Sequence, residues 1–267
     1  MNFICTTCGT QYADSPEPPA HCTICEDERQ YVGLEGQTWT TIDELRRDHH
    51  NRVQEEEQDL ISIVTEPKFA IGERAFVLRT GEGNLLWDSI SLIDDATIAS
   101  IRRLGGLRAI AISHPHYYTT MVEWSRAFGG IPMYLHQADH EWVMRPDDAV
   151  KFWDGETKPL FGGLTLINAG GHFAGGTVLH WPGRGALLSG DIIQVVPDRR
   201  WVSFMYSYPN YIPLGRKAVE RIVSTVEPFA FDRIYGAFPA MTVAAEGKAV
   251  VRRSAERYIA FLNGSRG

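Results

Sequence analysis

Leu107-Arg-Ala-Ile-Ala-Ile-Ser113-His-Pro-His116 is an apolar run that ends in two histidines one residue apart. It reads as a buried strand with its histidines at the strand end. A His-x-His at such a place lets two imidazoles converge on one ion, and neutral imidazole is a good zinc ligand. Two further residues stand in the same kind of position. His172 lies in Gly170-Gly-His-Phe-Ala-Gly-Gly176, and Asp191 follows Leu187-Leu-Ser-Gly190. Each comes just after an apolar, strand-like run. A fold that gathers these strand ends at one sheet edge makes a metal pocket. His114, His116 and His172 then form a three-histidine core of the kind used for catalytic zinc, with a position left open for water. Asp191 is either a fourth ligand or a base that orders the water.

Outward from these motifs the chain alternates between two periodicities. Residues 61–64, 75–79 and 84–87 are short apolar runs split by glycine-rich turns, as in an antiparallel meander. Helical patterns at 96–104, 119–128 and 137–143 flank strands at 107–112 and 132–135. The second half repeats this, with strands at 164–167, 177–181, 185–188 and 231–235. Residues 213–226 put Leu214, Ala218, Val219, Ile222, Val223 and Val226 on one helical face, with Pro213 suited to the first turn. Residues 246–262 read as a closing helix. Two halves, each β-rich and then helical, predict an α+β sandwich of two sheets with helices outside.

The order and context of the motifs resemble the metallo-β-lactamase fold superfamily. Ser113-His-Pro-His116 is similar to its His-x-His-x-Asp-His element, Gly171-His172 with Gly175-Gly176 to its Gly-His-x-x-Gly loop, and Leu188-Ser-Gly-Asp191 to the strand carrying its bridging aspartate. The resemblance covers residues 58–267. It implies an αββα sandwich with metal at one edge and, most often, hydrolysis of esters, thioesters, amides or phosphodiesters. The sequence departs from the pattern at the second metal position. Tyr118 and Thr119 stand where the family has Asp-His, and Phe238 or a neighbour stands where it has its last histidine. The resemblance therefore implies one ion, on His114, His116, His172 and Asp191. His136, which also follows a strand, is held as a reserve ligand.

Cys5-x-x-Cys8 and Cys22-x-x-Cys25 are all the cysteines of the chain. Four thiolates in paired knuckles suit tetrahedral zinc, which would fold a unit too small for a core of its own. Residues 1–30 are read as this zinc-ribbon-like unit, and 31–57 as a helical connector. Cys5-Thr-Thr-Cys8-Gly also resembles the first knuckle of a rubredoxin, which leaves iron open at this site.

The net charge of −7 argues against general nucleic-acid binding, and no apolar run reaches membrane-span length. Cysteines spaced for metal, without an export-signal pattern at Met1, make the cytoplasm the expected location. Tyr118 is a candidate catalytic residue, because a phenol beside zinc can donate to a developing oxyanion. The competing reading makes it aromatic filler. The aromatic stretch 201–213 could line an apolar substrate pocket, form a homo-oligomer patch, or simply pack as a loop. The expected function is a mononuclear zinc hydrolase of a small ester, lactone or related substrate. The alternatives are a non-catalytic ligand- or partner-binding member of the fold, and a redox protein with a rubredoxin-like iron site.

Overall fold

Alternation along Arg74-Ala-Phe-Val-Leu-Arg-Thr80 decides what each face of the first sheet meets. Phe76 and Leu78 point to one side and Ala75 and Val77 to the other, as a period of two requires. The computed structural model describes residues 1–265 and has two such sheets stacked face to face. The first holds seven strands in chain order: His50–Glu57, Leu60–Glu66, Arg74–Thr80, Gly83–Trp87, Ala109–Ala111, Met133–His136 and Val150–Trp153. The first four pair antiparallel and the last three join in parallel. The second sheet runs Thr157–Pro159, Thr165–Asn168, Thr177–Trp181, Ala186–Gly190, Arg233–Gly236, Thr242–Val243.

Between the sheets, Phe76, Leu85 and Trp87 meet Leu166, Leu179 and Leu188. Outside the first sheet, Val77, Leu86 and Ile110 pack under Ile101, Val122 and Trp124 of helices Asp95–Arg103 and Met121–Ala127. Outside the second, Ile167, Val178 and Leu187 pack under Val219, Ile222 and Val250 of helices Arg216–Val226 and Gly247–Leu262. The layers are therefore αββα, as expected. Each fully buried aliphatic side chain stabilises by about 1.5–3 kcal/mol, so three such layers dominate the stability.

Several elements differ from the sequence expectation. Residues 50–57, read as the end of a helical connector, form the edge strand of the first sheet, so the large domain starts before residue 58. Only the preceding helix Ile42–Asp48 is helical, held by a capping box between Thr41 and Glu44. The edge strand is polar because only one of its sides is paired, which hides the usual apolar signal. Pro213 belongs to a short bridge with Met205, and the helix begins at Arg216. Strand Val150–Trp153 lacks an apolar run and carries two exposed residues at its centre.

Residues 1–30 do not stand apart. Ile4–Cys5 pairs with Trp39–Thr40, and the cysteine unit bonds to the large domain at several points. Gln11 N donates to Thr119 O (3.0 Å), Ala13 N to Met144 O (3.2 Å), and Ser91 Oγ to Gly9 O (3.0 Å). Gly9 has φ +79°, and a Cβ there would collide with Ser91 Oγ, so the knuckle glycine is required by this docking.

Candidate metal centre

The strand ends place four donors at one edge of the sandwich. His114 and His116 follow strand Ala109–Ala111, the two histidines lying in and beside the short 3₁₀ turn Pro115–Tyr117. His172 sits in the loop between Thr165–Asn168 and Thr177–Trp181, which closes on itself through Gly170 N to Gly176 O (2.8 Å). Thr177 N donates to Ser113 O (2.8 Å), which ties that loop to the His-x-His turn across the two sheets. Asp191 follows Ala186–Gly190. Gly190 has φ +52°, and a Cβ would lie 2.8 Å from Ser113 Oγ, so this turn into the pocket needs glycine.

All four side chains are buried, with one donor atom of each within 4.8 Å of the others. His172 Nε2 lies 3.3 Å from His116 Nδ1, and His114 Nε2 lies 3.1 Å from Asp191 Oδ1. A tetrahedral ion with bonds of about 2.0–2.1 Å has ligand–ligand edges of about 3.3–3.4 Å, so these spacings fit one ion. His114 Nε2 and Asp191 Oδ1 are buried and have no hydrogen-bond partner despite their closeness. Two donors aimed at a common point, rather than at each other, do this. Two of the three outer nitrogens are fixed, as is usual for metal-binding histidines: His114 Nδ1 faces Ser113 Oγ (2.9 Å) and His172 Nδ1 faces Met205 O (3.2 Å), whereas His116 Nε2 is buried without a partner. Met205 O can only accept, so His172 carries its proton on Nδ1 and leaves Nε2 as a lone pair. Burial, then the neighbouring imidazole of His172, pushes the His114 and His116 pKa values well down, which keeps both rings neutral. Burial raises that of Asp191. Among the described residues, no other group of His, Asp and Glu donors converges in this way.

The four cysteines offer a second tetrahedral set. Cys5 Sγ lies 3.5 Å from Cys25 Sγ, and Cys8 Sγ lies 3.6 Å from Cys22 Sγ, all four buried. Hydrogen bonds among the sulfurs push the Cys5 and Cys22 thiol pKa values down and that of Cys25 up, and burial pushes that of Cys8 up.

A cavity of about 160 Å³ opens on the histidine cluster. His116, His172 and Asp191 line it with Tyr117, Tyr208 and Phe238. Tyr118 does not reach it. The 3₁₀ turn sends Tyr117 toward the cavity, its hydroxyl on Ala237 O (3.2 Å). Tyr118 is sent into the core on the other side, where it lines a separate small void with Gln11 and Met144. Thr119 bonds Ser89 Oγ (2.8 Å) and is also outside the cavity. Phe238 lies on the wall. His136 is held away by Asn168 Nδ2 (2.7 Å) and Gly155 O (3.1 Å). Of the aromatic stretch, Tyr208 lines the cavity, its hydroxyl on Asp191 O (2.7 Å), whereas Phe204 is core.

Several residues here carried no motif. Asp88 follows strand Gly83–Trp87 and accepts from Ser113 N (2.7 Å), which fixes the His-x-His turn. Burial raises its pKa to about 8. Arg74, fully buried, bonds Gly236 O (3.1 Å) and Met241 O (3.0 Å), which secures the loop that carries Phe238. Glu73 lines the cavity with an unpartnered Oε2, and burial, with Asp191 and Asp88 nearby, raises its pKa to about 8. A carboxyl raised from 4.5 to about 8 stays protonated in the folded chain while the unfolded chain has lost the proton. The contribution of Glu73 to stability therefore falls as pH rises from about 4.5 to about 8. In metal-free protein, Glu73→Gln is expected to remove one proton's share of that slope, about 1.4 kcal/mol per pH unit. Urea unfolding at several pH values checks this, and parallel wild-type and variant profiles would contradict it.

Among the described residues, no helix is long and apolar enough to cross a membrane. No family model matches the chain. In structure it is similar to VMB-1 (TM-score 0.61, 10% identity, 80% of this chain and 98% of that one). It is also similar to DIM-1 metallo-β-lactamase (TM-score 0.60, 13% identity, 79% and 97%). A third likeness is to the metallo-β-lactamase FIM-1 from Pseudomonas aeruginosa in its mono-zinc form (TM-score 0.58, 16% identity, 78% and 95%). In sequence it is 51% identical to the uncharacterized protein YmaE of Bacillus subtilis (strain 168), over 98% of this chain and 97% of that one. The αββα layers with donors gathered at one edge are the metallo-β-lactamase fold, and at that identity over nearly its full length the chain belongs to the family of YmaE.

Proposed function

We propose that the chain is a metal-dependent hydrolase with one zinc ion at the histidine centre and a second, structural metal on the four cysteines. The observation that carries the reading is the buried His114, His116, His172 and Asp191 set, with unpartnered donor atoms, on the wall of a cavity. When bound there, zinc supplies Lewis acidity toward a carbonyl or phosphoryl oxygen and activates water near neutral pH. The three imidazoles hold the ion as neutral donors. Asp191 offsets its charge and either completes the set or, with a position left open for water, takes up the proton that water loses. Phe238 and Tyr117 fill the region where further ligands would be needed, which supports a one-ion centre; the mono-zinc FIM-1 shows that this fold can hold one.

The small cavity suits a small substrate. Ile71, Pro209 and Phe238 give it apolar walls, while Gln30, Glu73 and Gln194 offer polar contacts. We assign it a short ester or lactone. Metal analysis of protein purified without added metal, followed by assays on short esters, thioesters, lactones and phosphodiesters, tests this. One zinc per histidine centre and chelator-sensitive hydrolysis are expected. Fully loaded protein inert toward all four classes would sink the hydrolase reading. Full activity without metal would sink the mechanism.

A further inference from the structure

We propose that Asp27-Glu-Arg-Gln30, the segment leaving the last cysteine knuckle, clamps the loop of His172, with Arg29 as a positioning residue for that ligand. The metal role of His172 is the reading given above, and the clamp rests on it. Arg29 Nε donates to His172 O at 2.7 Å, across 143 residues of sequence. The guanidinium is itself held. Asp27 Oδ1 accepts from Nη1 at 2.7 Å and from Arg29 N at 2.9 Å, and the cation lies 4.4 Å from the Phe173 ring centroid and 4.5 Å from that of Tyr206. So one side chain touches the backbone of His172, the ring that follows it, and the loop whose Met205 O orients the His172 imidazole.

The backbone of the same segment grips the other side of the cavity. Ser207 Oγ donates to Arg29 O (3.1 Å), and Asn210 Nδ2 donates to Glu28 O and Gln30 O (2.9 Å each). Gln30 is buried and forms part of the cavity wall with Tyr208 and Pro209. Cys25 and the helix Thr23–Glu26 fix where this segment starts. A well-formed four-cysteine unit thus sets Arg29, and Arg29 sets His172. The unit is more than a docking module, because it completes one metal centre from another. Outer contacts to metal-ligating residues typically change affinity by about 10–100-fold when removed.

Full-length protein with its four-cysteine site filled gives two readouts for Arg29→Met. The first is cobalt titration of the histidine centre, followed by its visible bands, with the thiolate-to-cobalt charge-transfer band reporting the cysteine site. Cobalt affinity at the histidine centre is expected to drop about 10–100-fold with the charge-transfer band unchanged. Arg29→Lys, which keeps a cation and a donor, should recover part of it. The second is amide exchange over residues 170–176 with no metal at the histidine centre, expected to be faster in Arg29→Met. Asp27→Asn, which leaves Arg29 present but unpinned, should move both readouts the same way by less, and stands in if Arg29→Met folds poorly. Wild-type exchange over 170–176 in both variants, or wild-type cobalt affinity and bands in both, overturns the clamp. If exchange rises as expected but wild-type protein shows no cobalt bands from this centre, the clamp holds and the reading of His172 as a ligand is what fails.

Discussion

His172→Ala is expected to release the metal of the histidine centre and abolish turnover, while the metal on the four cysteines stays. Its Nε2 is one of four buried donors gathered at one point, 3.3 Å from His116 Nδ1 and 3.9 Å from Asp191 Oδ1. Loss of a mere outer contact costs about 10–100-fold in metal affinity, so loss of the ligand itself should exceed about 100-fold. With the ion gone, the cavity keeps its shape but has nothing to acidify water. His136→Ala is the matched control. His136 is also buried and ends a strand, yet it bonds Asn168 and Gly155 and is outside the centre. That variant should lose some stability, retain metal and retain activity. Metal content and turnover of the two variants side by side are the measurement. Equal metal loss in both would mean that stability is being read rather than ligation, and full metal in His172→Ala would remove the centre as drawn.

The donors of this centre are legible in the sequence because strand ends are local. An apolar run followed by His, or by Gly-Asp, says where a side chain emerges, and parallel or hairpin pairing then brings such ends together. The same rule would have found Asp88, a carboxylate directly after Gly83–Trp87. What local pattern cannot supply is direction within a turn. Tyr117 and Tyr118 are adjacent and chemically alike, and only the 3₁₀ turn after His114 decides that the first faces the cavity and the second the core. Nor can it supply partners distant in sequence. Arg29 meets His172, and Arg74 meets Met241, only once both sheets are stacked. The polar edge strand at 50–57 is hidden for a different reason. Its charges sit on a strand with one unpaired side, where apolar alternation is not required.

Cys22→Ser is expected to empty the four-cysteine site and to lower the stability of the large domain without unfolding it. Cys22 Sγ is buried, 3.6 Å from Cys8 Sγ, and accepts from Tyr12 Oη at 3.4 Å. A metal on four thiolates supplies about 10–16 kcal/mol of folding free energy to a small knuckle, far more than the small apolar cluster around the sulfurs can replace. The two-sheet core lies elsewhere and should persist. It loses, however, bonds that it shares with residues 1–30, four of which are Gln11 N to Thr119 O, Ala13 N to Met144 O, Ser91 Oγ to Gly9 O, and Arg29 Nε to His172 O. At about 1 kcal/mol each these total about 4 kcal/mol, which corresponds to a fall in Tm of about 8–16 °C for a domain of this size. Ile71, Trp142 and Met144, which pack on the cysteine cluster, would be newly exposed and add to the loss. Thermal unfolding, metal analysis and limited proteolysis of the full chain check this together. Cleavage confined to roughly the first 40 residues, with a lower melting transition for the remainder, is the expected pattern. An unchanged large-domain melting point would show a detachable module instead, and an unchanged metal content at the cysteine site would show that Cys22 is not a ligand.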